Sequence, residues 1–163
     1  MIGLIMVFNL NAICQSNVNL QTIDSLVNRI DKIKLTYIDS FIEEDTLSRA
    51  KLNITLFRYF NENKLFKCVR ESKATKATNC PDIHTEASYT YYYNDNKLIK
   101  VVGKVHEKGD EIDTQIYFNN EAAFDYFLTV NGKKIQKPYF NSFIIFVMDS
   151  KFILQKFGTY VTK

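Results

Sequence analysis

The chain has 163 residues and a mass of 19.0 kDa, with 46% hydrophobic and 24% charged residues, a globular composition far from that of disordered or collagen-like chains. Lys and Arg number 21 against 18 Asp and Glu, a net charge of +3, too near balance to imply a nucleic-acid or membrane-surface partner. With five Gly and two Pro there is little to build a phosphate-cradling loop, and neither G-x-G-x-x-G nor G-x-x-x-x-G-K occurs.

The N-terminal stretch Met1 to Cys14 has no charged side chain, and Ile2 to Leu10 is apolar apart from Asn9. It falls short of the roughly 20 apolar residues that span a bilayer. It matches the apolar region of a signal peptide, with Ala12 and Cys14 as the small residues before a cut at Gln15. The division that follows is a signal peptide over 1–14 and a single α+β domain over 15–163, exported to the periplasm or secreted, with no transmembrane segment once the leader is gone. A buried first strand is the competing reading. Lipid attachment at Cys14 is disfavoured by the bulky Ile13 before it. Removal of the leader would leave Cys68 and Cys80 as an even pair, which in an exported chain reads as a disulfide. Closing the 69–79 loop would contribute about 3 kcal/mol by the chain-entropy argument.

Apolar positions Leu20, Ile23, Val27, Ile30, Tyr37 and Phe41 recur at three-and-four spacing and predict one amphipathic helix over 20–44. Its final turn carries Glu43, Glu44 and Asp45, the wrong sign for a helix C-terminus, so a stop near Ile42 or a bend before it is expected. Beyond it the chain changes to short runs rich in β-branched and aromatic residues, bounded by Asn-containing turns, which read as antiparallel strands. Residues 59–67 and 92–100 match at six of nine positions; each is an aromatic strand end, an Asn-acid-Asn turn and a new strand. The aromatic-Asn-x-x-x-Leu-x-Lys pattern resembles MORN-type repeats but lacks their regular Gly. An array needs at least three units, which favours convergence on one good hairpin over duplication. Further runs lie at 111–118, 124–130, 142–148 and 151–161, all read as strands. The predicted fold is α+β, an N-terminal amphipathic helix packed on an antiparallel meander of about six to seven strands. That element order resembles cystatin-like layouts.

One constellation carries chemistry. Centring a hairpin on Asp95 places His84 opposite His106, with Tyr89, Tyr91 and Tyr93 sharing a face with Ile99, Val101 and Val105. The Glu107 to Asp110 turn then sets His106 opposite Glu111 and Lys104 opposite Asp113, while Ile112, Ile116 and Phe118 join the apolar face. A shift of one residue would send the aliphatic set to solvent. His84, His106 and Glu111 thus form a candidate zinc ligand set, against the alternative of an ordinary solvated sheet face. No G-x-S-x-G elbow or H-E-x-x-H motif is present. The charge is split: residues 15–47 hold three basic and six acidic groups, and the rest eighteen and twelve, which implies either a partner surface or internal complementarity.

The reading that results is an exported, non-enzymatic binding module for a protein or small-molecule partner, inhibitor-like or an accessory envelope protein, with no cofactor and no nucleic acid. The alternatives are a metal-binding protein or metal-dependent hydrolase using His84 and His106, and a carrier of a small apolar ligand.

Overall fold

A computed structural model describes residues 19–44, 51–75, 85–135 and 143–158. Its centre is one open antiparallel sheet of eight strands whose spatial order is their chain order. The strands are β1 (Tyr37–Glu44), β2 (Lys51–Asn61), β3 (Lys64–Thr75), β4 (Thr85–Asn94), β5 (Lys97–Glu107), β6 (Asp110–Asn119), β7 (Ala122–Val130) and β8 (Lys133–Lys134). Helix α1 (Leu20–Ile30) precedes them and α2 (Ile144–Phe157) follows. The α+β class and the meander hold, with eight strands in place of six or seven.

Five connections are two-residue loops: Glu62-Asn63, Asp95-Asn96, Lys108-Gly109, Asn120-Glu121 and Asn131-Gly132, each with positive φ at both positions. That is the requirement of the hairpin turn whose twist matches the strands it joins, and Asn and Gly meet it at least cost. The Asn-acid-Asn loops are therefore one residue tighter than expected. Asn61 and Asn94 belong to the strands, paired with Lys64 and Lys97.

The β2–β3 and β4–β5 hairpins each carry a bulge next to the turn, with the extra residue on the returning strand, and β6–β7 carries one at the same place. The third unit, Tyr117-Phe118-Asn119-Asn120-Glu121-Ala122-Ala123-Phe124-Asp125, keeps the aromatic pair and the Asn but not the Leu and Lys. Three units of one hairpin geometry are thus present. In each, the bulge rotates one further apolar residue, Phe66, Ile99 or Phe124, out of strict alternation.

The two faces of the sheet bury separate clusters. The inner face presents Ile54, Leu56, Phe60, Leu65, Cys68, Tyr91, Tyr93, Leu98, Val101, Ile116 and Phe118, which pack with Phe143 and Ile153 around α2. The outer face presents Tyr92 and Tyr117, which pack with Ile23, Val27 and Ile30 of α1 and with Phe66, Ile99 and Val102 beside them. Asn19 caps α1 by accepting from the Thr22 amide at 2.8 Å, and positions 23, 27 and 30 share one helix face.

Two expectations fail here. The helix ends at Ile30, and 37–44 is strand β1. Tyr37 and Phe41 are four apart, a spacing that keeps two residues on one face in a strand as well as in a helix. Runs 142–148 and 151–161, read as strands, hold α2 over 144–157. Its Ile-Ile-Phe-Val-Met start is apolar on all sides, and such a run has no period with which to tell strand from helix. The leader, Cys14, Gln15, Cys80 and His84 lie outside the described residues. Cys68 is a free thiol at 0% exposure. It points inward from mid-strand beneath α2, and its expected partner Cys80 is not among the described residues.

Candidate functional site

Alternate positions on the outer face form one row across six strands. Tyr59 pairs with Lys67, Lys67 with Tyr92, Tyr92 with Lys100, Lys100 with Tyr117, and Tyr117 with Asp125. Helix α1 places two aspartates over this row. Asp24 receives Lys100 Nζ at 2.7 Å and the Tyr117 hydroxyl at 3.1 Å. Asp31 receives Lys67 Nζ at 2.9 Å and the Tyr92 hydroxyl at 3.2 Å. Seven helical residues rise about 10 Å at 1.5 Å each. Two strand intervals of about 4.8 Å cover nearly the same distance, so helix and sheet repeats coincide. Burial lowers the Lys100 pKa, yet the bonds from Asp24 and Tyr117 more than offset this and hold it above the usual lysine value. Burial, then the charge and hydrogen bond of Asp31, drive the Tyr92 phenol up.

Four of the six N-terminal acids are thus matched internally. Besides Asp24 and Asp31, Asp39 of β1 pairs with Arg58 Nε at 2.6 Å and Glu43 with Arg70 at 3.6 Å. Arg58 also donates to the Phe157 carbonyl at 2.6 Å and lies over the rings of Tyr37, Phe60 and Phe157, tying the C-terminal end of α2 to the sheet edge.

Further along strands β2 to β5, to one side of the Lys-Tyr row, the outer face is polar. A groove of about 470 Å³ is lined there by Asn53, Thr55, Glu71, Lys73, Glu86, Ser88, Lys104 and His106. The β5–β6 register places His106 opposite Glu111 and Lys104 opposite Asp113, as expected, and the latter two are 3.8 Å apart. Tyr91, Val101 and Ile116 lie together on the other face, also as expected. The β4–β5 pairing differs, because the bulge and shorter loop move it by two positions. Glu86 faces His106 and pairs with Lys73 at 2.5 Å. The bulge also turns Ile99 to the outer face and puts Leu98 in its place. Among the described residues, no three His, Cys, Asp or Glu groups converge for a metal.

The inner face holds a second candidate, which the sequence reading missed. One side of α2 presents Ile144, Ile145, Met148 and Phe152, with relative exposures of 64%, 63%, 65% and 39%. Clefts flank this ridge. One, of about 500 Å³, runs along Phe118, Ala123, Phe143 and Val147. The other, of about 400 Å³, is walled by Arg70, Tyr89, Tyr91, Phe146 and Asp149. At its base Tyr91 donates a short hydrogen bond to Asp149, with the Arg70 guanidinium 3.8 Å from the same carboxylate. Burial first, then Asp149, drives the Tyr91 phenol far up. This Tyr is a fixed donor, not a proton-transfer group at ordinary pH. The 144, 145, 148, 152 spacing is the signal that a helix reading of 143–157 would have exposed.

No protein-family model, curated protein or solved structure matches the chain.

Proposed function

We propose that the chain is an exported, non-enzymatic binding module that inserts the outer ridge of α2 into an apolar groove of a partner protein. The observation that supports this is the ridge itself. Four large apolar side chains at i, i+1, i+4 and i+8 stand exposed on a helix whose opposite side is anchored in the core by Ile153 and Phe143. That is the chemistry of helix-in-groove recognition, and single scattered exposed apolar residues would not carry it. The rim supplies charge of both signs, with Lys151 paired to Glu121 at 2.6 Å on one side and Arg70 near Asp149 on the other. A partner therefore meets an apolar centre with a polar border. Export rests on the Ile2 to Leu10 run and predicts a mature N-terminus at Gln15, read by mass spectrometry of protein expressed with its own leader.

The test of the ridge is a photo-crosslinking amino acid at Met148, compared with one at His106. The expected result is a protein adduct of discrete mass from position 148 only, lost when Ile145→Asp is added. Equal adducts from both positions would overturn the reading. A lipid or apolar small-molecule adduct from position 148 would overturn it in favour of a carrier.

A further inference from the structure

Strand β1 ends the sheet. β2 occupies one of its sides, and among the described residues no strand pairs with the other. Such an edge is a template for another strand unless charge, Pro or a bulge blunts it, and β1 is a regular run of eight residues with no Lys, Pro or bulge. Its outward-facing positions are Ile38, Ser40 and Ile42, and the two isoleucines are 59% and 66% exposed. On the inward side, Asp39 and Glu43 already have Arg58 and Arg70 as partners. The edge therefore presents a backbone row and two unpaired aliphatic side chains, with two of its acids neutralised from within.

The geometry points to a second copy of this chain as the occupant, added antiparallel through β1 about a two-fold axis at Ser40. An isologous contact must be self-complementary, and the registers that keep both outer faces on one side can be compared directly. With Ser40 opposite Ser40 of the second copy, Ile38 meets Ile42 twice, Asp39 faces Phe41, Tyr37 faces Glu43, and Glu44 falls opposite Thr36. No two acids oppose one another, and both exposed isoleucines gain cross-strand partners at about 5 Å. Moving the axis to Phe41 sets Asp39 against Glu43 and each Ile42 against a serine. A half-step shift puts the outer face of one copy against the inner face of the other. Only the Ser40 axis satisfies charge and burial together, and it continues the two sheets into one of sixteen strands. The contact is independent of the α2 ridge, which lies on the inner face.

Sedimentation of the full chain should show a reversible dimer, and Ile38→Lys should raise its dissociation constant by about tenfold or more, because it sets an ammonium against Ile42 of the second copy and desolvates it. The register is tested by Ser40→Cys in a chain carrying Cys14→Ser and Cys80→Ser. Mild oxidation should give a covalent dimer, because residue 40 meets itself, while Ile38→Cys in the same background should give far less. A chain that remains monomeric at all concentrations, or equal crosslinking by the two cysteine variants, would overturn the proposal. The oxidation comparison stands even if Ile38→Lys fails to fold.

Discussion

At the scale of single residues, Gly103 shows how closely the inner face is filled. A Cβ built there would lie 2.5 Å from two atoms of the Tyr89 ring and 2.7 Å from Thr114 Cγ2. Tyr89 and Thr114 are its neighbours on β4 and β6, and Tyr89 is held in turn by an edge contact with Phe146 of α2 at 5.2 Å. The ring cannot retreat without disturbing the helix. Gly103→Ala should therefore lower stability by about 1 to 3 kcal/mol, the usual cost of overpacking, as a lower urea midpoint with unchanged slope. Cys68 gives a second test. Burial pushes its thiol up to about 12, and a buried neutral thiol is inert. An alkylating reagent should leave Cys68 unmodified in the native protein and label it after denaturation, with peptide mapping to tell it from the other cysteines. Rapid native labelling would mean that α2 opens.

Between elements, the α1 contacts are the most readily dissected. Lys100 and Lys67 have 8% and 12% of their side chains exposed, and each lies over a ring as well as beside its aspartate, Tyr117 at 4.5 Å and Tyr59 at 4.1 Å. Truncating either aspartate leaves a largely desolvated ammonium without its countercharge. Asp24→Ala and Asp31→Ala should each cost about 1 to 3 kcal/mol. Amide exchange should quicken over Leu20–Ile30 in each variant and stay slow in β5 and β6. Exchange spreading through the sheet would show that the two aspartates do more than hold the helix.

At the scale of the whole molecule, the shifted titrating groups among the described residues, Cys68, Tyr89, Tyr91, Tyr92, Tyr93 and Lys100, share one sign. Cys68 starts from 9.0, Tyr89, Tyr91, Tyr92 and Tyr93 from 10.0, and Lys100 from 10.5, and all are raised on folding. Above those values the folded state holds protons that the unfolded state has released, so stability falls as pH rises. Their contribution is fully present below pH 9.0. A series of urea titrations should show stability declining from there upward and steeply beyond 10, with tyrosinate absorbance appearing together with loss of the sheet signal. Tyrosinate formed while the sheet is intact would show that the phenols are reached by solvent in the folded state.

Local information determined a good share of this architecture. The two-residue alternation of β5 and β6 and the turn residues between them were enough to set their register and to separate the His106 face from the Tyr91 face, because a one-residue error would expose every aliphatic side chain. Other features depend on pairing at a distance. Tyr37 and Phe41 satisfy helix and strand alike, and only docking beside β2, with Asp39 on Arg58, makes 37–44 a strand. The apolar run at 143–148 is helical because the inner face already has its strands and needs a cover, and with that helix comes the exposed ridge. The bulges are properties of two strands together, which is why Glu86 faces His106. Patterning chooses which side of an element is apolar; tertiary packing chooses what that side meets.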